Sequence, residues 1–369
     1  MIYVIPFLIL ITIVVFIHEY GHYYFAKKYG VGITDFSIGF GKEIFGWNDK
    51  SGTRWKICWI PLGGYVKFFG DRNVFSQAEQ EKIINNYKNE DKEKLFILKP
   101  LYQRSIIVAA GPLANFVLAI VIFTIINLFV GKDMTPAIID EVQENSPAFI
   151  AGMKEKDKII SIDNKKVQSI LEVSTFINTS TKETIDFIVM RNNQEIEISI
   201  KPNLVDGKDS LGNSVKKKMI GIRLLTPLNN EFEKKRLGPS SAIYYSLKEV
   251  WFVSTTSLKY LAKMIVGSAD SSQLGGPIRI AKITGQVAEY GIIPFLSIMA
   301  YISVSLGLIN LFPIPMLDGG HLMFYLFEKI LKRPLSQKTQ ENFFRIGLFL
   351  LFSLMFFVTF NDLKDLGLF

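Results

Sequence analysis

The segment Ser105–Gly131 runs for 27 residues without one ionisable side chain. A helix of about 20 apolar residues crosses the hydrocarbon core of a bilayer, and a helix apolar on every side has no face to turn to water. Three further segments have the same character. Met1–Ile17 is uncharged with Thr12 its one polar interruption, and stays apolar to Phe25 around His18 and Glu19. The third is Ile293–Phe312; the fourth, Ile346–Phe360, is short and is completed by Arg345 snorkelling to the interface. The chain therefore reads as a polytopic α-helical membrane protein with about four transmembrane helices.

Composition removes the alternatives. At 49% apolar and 21% charged residues the chain is not disordered. Its net charge of +8 raises the question of nucleic acid. Lys and Arg are scattered between the apolar blocks among acidic residues, however, so the charge is membrane-flanking and solvated and no nucleic-acid partner is expected. The single cysteine, Cys58, permits neither an internal disulfide nor a cysteine-rich metal site. Met1–Ile17 lacks the basic start and small-residue cleavage site of a signal peptide, so it is expected to stay as a span.

Lys27, Lys28, Lys99 and Arg104 border the first two spans on one side; Lys329, Lys332, Arg333 and Lys338 lie between the last two. The positive-inside rule puts both loops in the cytoplasm and both termini outside. The polar insert Met134–Arg236 alternates. Ala137–Val142 and Lys158–Ile162 read as strands and Ile170–Asn178 as a short helix, while Glu183–Met190 and Glu195–Ile200 form a hairpin around Arg191–Gln194. One small α+β domain fits. Ser240–Ser268 reads as amphipathic helix lying at the outer surface. Ser76–Lys94 opens with a capping box, Ser76 to Glu79, and reads as a charged surface helix.

The chemistry sits at the end of the first span, in His18-Glu19-Tyr20-Gly21-His22. In this H-E-x-x-H pattern, positions i and i+4 share one helix face, so both imidazoles reach one zinc ion with Glu19 beside it. Idle ionisable groups at membrane depth cost on the order of 3 kcal/mol each. Catalytic zinc takes three protein ligands and leaves one position for water. The third is sought in Asn310–His321, where two prolines and two glycines break the helix closing the third span. Asp318 follows 28 uncharged residues, and coordinating a cation would remove the cost of its charge. His321 is the rival ligand, and the charge argument favours Asp318. The reaction class is peptide-bond hydrolysis without an acyl-enzyme, with Glu19 as general base.

These motifs occur in order with Phe36–Lys42, Ile60–Lys67, Ala109–Asn115 and Leu274–Ala281. Together they resemble the site-2 protease family of intramembrane zinc metalloproteases, closest to the bacterial regulator-of-sigma-E protease branch, over nearly the whole chain. The resemblance implies zinc held by His18, His22 and Asp318, a catalytic Glu19, and Asn310 and Pro315 holding the substrate helix unwound. It also implies a membrane-associated β-hairpin beginning at Gly39 and Gly41 and continuing through Trp55–Ile60 and Tyr65–Phe69, able to bind extended substrate by strand addition. The insert, with Ser146–Met153 and Asp157–Asp163, looks like a PDZ domain. Some relatives carry two in tandem; the roughly 100 residues here hold one.

The plan implied is a first helix at 1–25, a cytoplasmic-side loop with hairpin and surface helix at 26–104, and a second helix at 105–131. A periplasmic PDZ domain occupies 132–236 and periplasmic amphipathic helices 237–292. The third helix lies at 293–321, a cytoplasmic-side linker at 322–345, and the fourth helix and tail at 346–369. Expected partners are membrane lipid and single-pass membrane proteins of the bacterial inner membrane, anti-sigma factors and signal-peptide remnants. The competing classes are an inactive PDZ scaffold, against which Glu19 speaks, and a zinc transporter or sensor, which needs neither hairpin nor PDZ domain.

Overall fold

The computed structural model describes residues 3–70, 89–180, 182–208, 214–226, 233–266 and 274–365. The Ser76 to Glu79 capping box lies outside them. Helix α1 (Val4–Lys28) leads into strands β1 (Ile33–Asn48) and β2 (Arg54–Phe68), then helix α2 (Leu101–Phe129). The insert contributes β3 (Ile139–Val142), β4 (Lys158–Ile162), β5 (Lys165–Lys166), helix α3 (Ile170–Thr179), β6 (Ile185–Arg191) and β7 (Gln194–Ile200). After these come β8 (Asn203–Lys208), β9 (Ser214–Met219) and β10 (Ile222–Leu224). Helices α4 (Pro239–Ile265), α5 (Pro277–Glu289), α6 (Ile292–Asn310), α7 (Asp318–Leu331) and α8 (Gln337–Asp365) complete the chain. It divides into two compact units, residues 1–122 with 274–369, and residues 123–273.

Among the described residues four helices are long and apolar enough to cross a membrane: α1, α2, α6 and, within α8, Lys338–Lys364. Only 6% of the apolar window of α8 is covered by protein, with Phe349, Phe352 and Phe356 on the outside. Such a face is stable only against lipid. Small residues set the close helix contacts, as expected where hydrophobic burial cannot draw helices together. A Cβ on Gly21 of α1 would strike the Ala110 carbonyl of α2, and one on Gly307 of α6 would meet the Pro112 carbonyl at 3.0 Å.

Strands β1 and β2 form a curled sheet. Their ladder pairs place Asp35–Ile38 between Arg54–Ile57 on one side and Gly64–Lys67 on the other. The fold-back needs a sharp bend in β1, which Gly39 (φ +86°) and Gly41 (φ +90°) supply; a Cβ on Gly39 would sit 2.7 Å from the Ile60 carbonyl oxygen. Asp49 in the turn ties the sheet to α1 by accepting from Tyr23 Oη at 2.9 Å. Against the cost of its burial, hydrogen bonds from Ser51, Thr53, Tyr23 and Trp55 hold the Asp49 carboxyl well below the usual carboxylate range.

In the insert an antiparallel sheet of order β5-β4-β6-β7 closes over α3. Its core is Ile159, Ile162, Val173, Ile185, Phe187, Val189 and Ile200. Asn192 and Asn193 both take positive φ between paired Arg191 and Gln194, the two-residue turn whose twist suits a hairpin. The amphipathic region expected at the outer surface divides. Helix α4 packs on the insert through Phe252 against Phe176, ring centroids 5.4 Å apart. Helix α5 belongs to the other unit, where Gly285 is seated on Tyr3, the residue before the first helix, and Thr284 is fully buried. Asp362 of α8 caps that helix, accepting from the Gly276, Ile278 and Arg279 amides at 2.7–3.1 Å.

Helix α6 stops at Asn310, and Leu311–Leu317 is irregular around Pro313 and Pro315. The two glycines after Asp318 do not take part in that break. They lie in the first turn of α7, where a Cβ on Gly319 or Gly320 would strike the carbonyls of Leu311 and Ile314. Their role is to let α7 begin directly against the loop. Asp318 is thereby the first residue of a new helix rather than the end of the third span.

Candidate metal centre

His18 and His22 lie one turn apart on the buried face of α1, 7% and 9% exposed, with ring centroids 4.9 Å apart. The start of α7 brings Asp318 to them. His18 Nε2 is 3.3 Å from His22 Nε2 and 3.1 Å from Asp318 Oδ2, and His22 Nε2 is 3.5 Å from Asp318 Oδ1. Two ligands about 2.05 Å from a tetrahedral zinc stand about 3.3 Å apart. The two imidazole nitrogens stand at that spacing with an Asp318 oxygen 3.1 Å from one and 3.5 Å from the other, so the three side chains are placed to hold one zinc ion. Among the described residues, no other group of three or more His, Cys, Asp or Glu side chains converges in this way. His321 lines the same cavity but is not in the group.

The backbone prepares the ligands. His22 Nδ1 bonds the Ile107 carbonyl of α2 at 2.9 Å, which holds the proton on Nδ1 and frees Nε2 for a metal. The ring can lie there because residue 111 is glycine: a Cβ at that position would overlap the ring around Nε2. His18 Nδ1 meets the amide of Asn115, also on α2, at 3.2 Å. Glu19 lies beside the two histidines, where Gly64 of β2 stands close to its Cγ.

His18, Glu19, His22 and Asp318 line one cavity of about 470 Å³, whose wall continues along Gly63–Phe68 of β2 to Gly70 and past Phe40, Asn310, Met316 and His321. Met316 holds φ +92° immediately before Leu317 and Asp318, a conformation a side-chain-bearing residue adopts only when its surroundings impose it. Gly64–Phe68 pairs with β1 on one side only, and among the described residues no strand covers the other. The unpaired edge thus runs along the cavity.

The four chemistry-bearing residues His18, Glu19, His22 and Asp318 meet as the sequence pattern requires. Asn310 also reaches the site, its Nδ2 3.5 Å from His18 Nε2. Pro315, Gly39 and Gly41 are not in the cavity wall. Pro315 is wedged behind it against Gly320 and Gly347, and the two glycines approach the chain's own backbone and side chain at Ile60. The part of the hairpin that lines the cavity is Gly63–Gly70. Gly111 and Asn115 fall in the Ala109–Asn115 motif, to which the sequence assigns no role, and the Ile107 carbonyl is a partner with no sequence signal.

A buried H-E-x-x-H pair completed by a carboxylate, on a helix apolar enough to cross a membrane, defines a membrane metallopeptidase. Comparison with known proteins agrees. The profile of Peptidase family M50 matches residues 6–354, and the chain belongs to that family. A protein of Agrobacterium fabrum named as a zinc metalloprotease is 39% identical over 99% of this chain and 96% of its own length. The metalloprotease MmpA of Caulobacter vibrioides is 35% identical over 100% of this chain and 97% of its own. Among solved structures, the PDZ domain of the SdrC-like protein of Listeria monocytogenes matches 26% of this chain and 90% of that one, at 21% identity and a TM-score of 0.20. The chain is a membrane protein and a zinc metalloprotease.

Proposed function

We propose that this protein is an intramembrane endopeptidase that hydrolyses peptide bonds in or beside the transmembrane helix of single-pass membrane proteins. His18, His22 and Asp318 would hold the zinc, and Glu19 is the general base. The observation that carries the reading is the shared cavity: the ligand set on α1 and α7 opens onto the free edge of β2. A peptide bond inside a helix hides its carbonyl carbon, so substrate must be extended before it is cut. Gly64–Phe68 offers an extended chain a strand to pair with. Asn310 stands where its amide can donate to the carbonyl of the bond being cut.

When bound, zinc lowers the pKa of its water ligand to about 7 and polarises a carbonyl oxygen. Glu19 takes the proton released as water attacks and passes it to the leaving amine, ending ionised as it began. The Ile107 carbonyl keeps His22 in the tautomer that presents Nε2.

The basic residues flanking α1, α2, α7 and α8 support an inner-membrane protein with its site toward the cytoplasm and its insert in the periplasm. The insert we read as a single PDZ domain. By its family likeness to regulated intramembrane proteases, the chain would act on anti-sigma factors already trimmed outside the membrane and on leftover signal peptides. Mass mapping of the products from a tagged single-pass substrate with a destabilised helix tests this. Cuts are expected within the span or a few residues from its cytoplasmic end. Cleavage confined to a soluble ectodomain would overturn the intramembrane reading.

A further inference from the structure

Asn115 is fully buried in the middle of α2, between α1 and α6. An amide there is costly unless its groups are paired. Its backbone carbonyl accepts from Ser303 Oγ of α6 at 2.9 Å. Its side-chain nitrogen stands 3.2 Å from His18 Nδ1, while its Oδ1 is buried with no partner. Metal binding decides which of the two amide groups must face His18. A metal on His18 Nε2 requires the imidazole proton to be on Nδ1, and a protonated Nδ1 needs an acceptor. Rotating the amide by half a turn exchanges its nitrogen and oxygen with little change in shape. Oδ1 then accepts from Nδ1–H, and the NH2 group takes the position where the oxygen had no partner.

We propose that Asn115 is a positioning residue of the metal centre: its Oδ1 accepts the His18 Nδ1 proton and fixes the tautomer and ring orientation in which His18 binds zinc. The proposal rests on the assignment of His18 as a ligand. It makes the two imidazoles equivalent in support, since His22 is oriented from the same helix by the Ile107 carbonyl. Helix α2 would thereby orient both histidines of α1 without touching the metal.

The test is zinc affinity of the full chain purified in detergent, by competition with a chromogenic chelator, with the visible spectrum of the cobalt(II)-loaded protein as a second readout. Asn115→Leu keeps the volume and removes the acceptor; it is expected to weaken zinc binding about 10- to 100-fold and to shift the cobalt bands. Asn115→Asp keeps the acceptor and is expected to bind zinc at least as tightly as wild type. Ser303→Ala loosens the same helix contact without altering the acceptor and is expected to stay within about threefold of wild type. Wild-type affinity in Asn115→Leu would overturn the proposal. So would equal weakening in Asn115→Asp or in Ser303→Ala, which would make the effect one of packing. If Asn115→Leu does not fold, Asn115→Asp decides alone. His18→Ala separates the two claims: unchanged affinity there contradicts the ligand assignment itself.

Discussion

Glu19→Gln should retain its zinc and lose peptide hydrolysis by at least about 100-fold, the lower end of what a positioned general base supplies. Glutamine has the same shape, but its amide cannot take a proton from water at neutral pH. Glu19 is outside the group His18, His22 and Asp318, so metal content should stay at the wild-type level. Cleavage of one tagged substrate by both proteins in the same membranes, normalised to expression, gives the comparison. Cleavage within about threefold of wild type would remove the base from Glu19 and require another group in the cavity to act.

Gly111→Ala is the second large effect. The position lies in an apolar helix where alanine is otherwise the better helix former by about 1 kcal/mol. Here the added methyl group would overlap His22 at the metal-facing side of its ring. The imidazole must tilt away, breaking its 2.9 Å bond to Ile107 and moving Nε2 off the metal position. Displacement by about 1 Å at a reacting centre costs on the order of 100-fold in rate, so zinc binding and hydrolysis should fall together by that order. The fold should persist, because overpacking at one buried site costs about 1–3 kcal/mol. Metal content and cleavage measured on the same preparation check this; wild-type values for both would show that the histidine does not need the close approach.

The spans were legible because uninterrupted apolar length admits few structures, and the histidine pair because a four-residue spacing on a helix leaves one face to share. Hairpin β6–β7 was legible from its two asparagines. Other features left no trace in residue type. Hairpin β8–β9 is hidden by the charged run Lys216-Lys217-Lys218, whose side chains mask the alternation that marks a strand. Gly319 and Gly320 read as helix breakers, yet serve close packing inside a helix, a difference that depends on what stands opposite. The resemblance implies a substrate-binding hairpin from Gly39 and Gly41 through Trp55–Ile60 and Tyr65–Phe69, without saying which stretch faces the cavity. Gly39 approaches the chain's own backbone at Ile60, and the folded sheet shows that Gly64–Phe68, which overlaps the expected Tyr65–Phe69, pairs with β1 on one side only. The Ile107 carbonyl carries no sequence signature, because every residue has one.

The account stands most directly on the coordination of the metal. X-ray absorption at the zinc edge of the purified protein should show two imidazole nitrogens and oxygen from a carboxylate and water at about 2.0–2.2 Å, with no sulfur. In Asp318→Ala the zinc should be lost or weakly held. A sulfur shell, or an unchanged spectrum at full occupancy in Asp318→Ala, would contradict the centre described here.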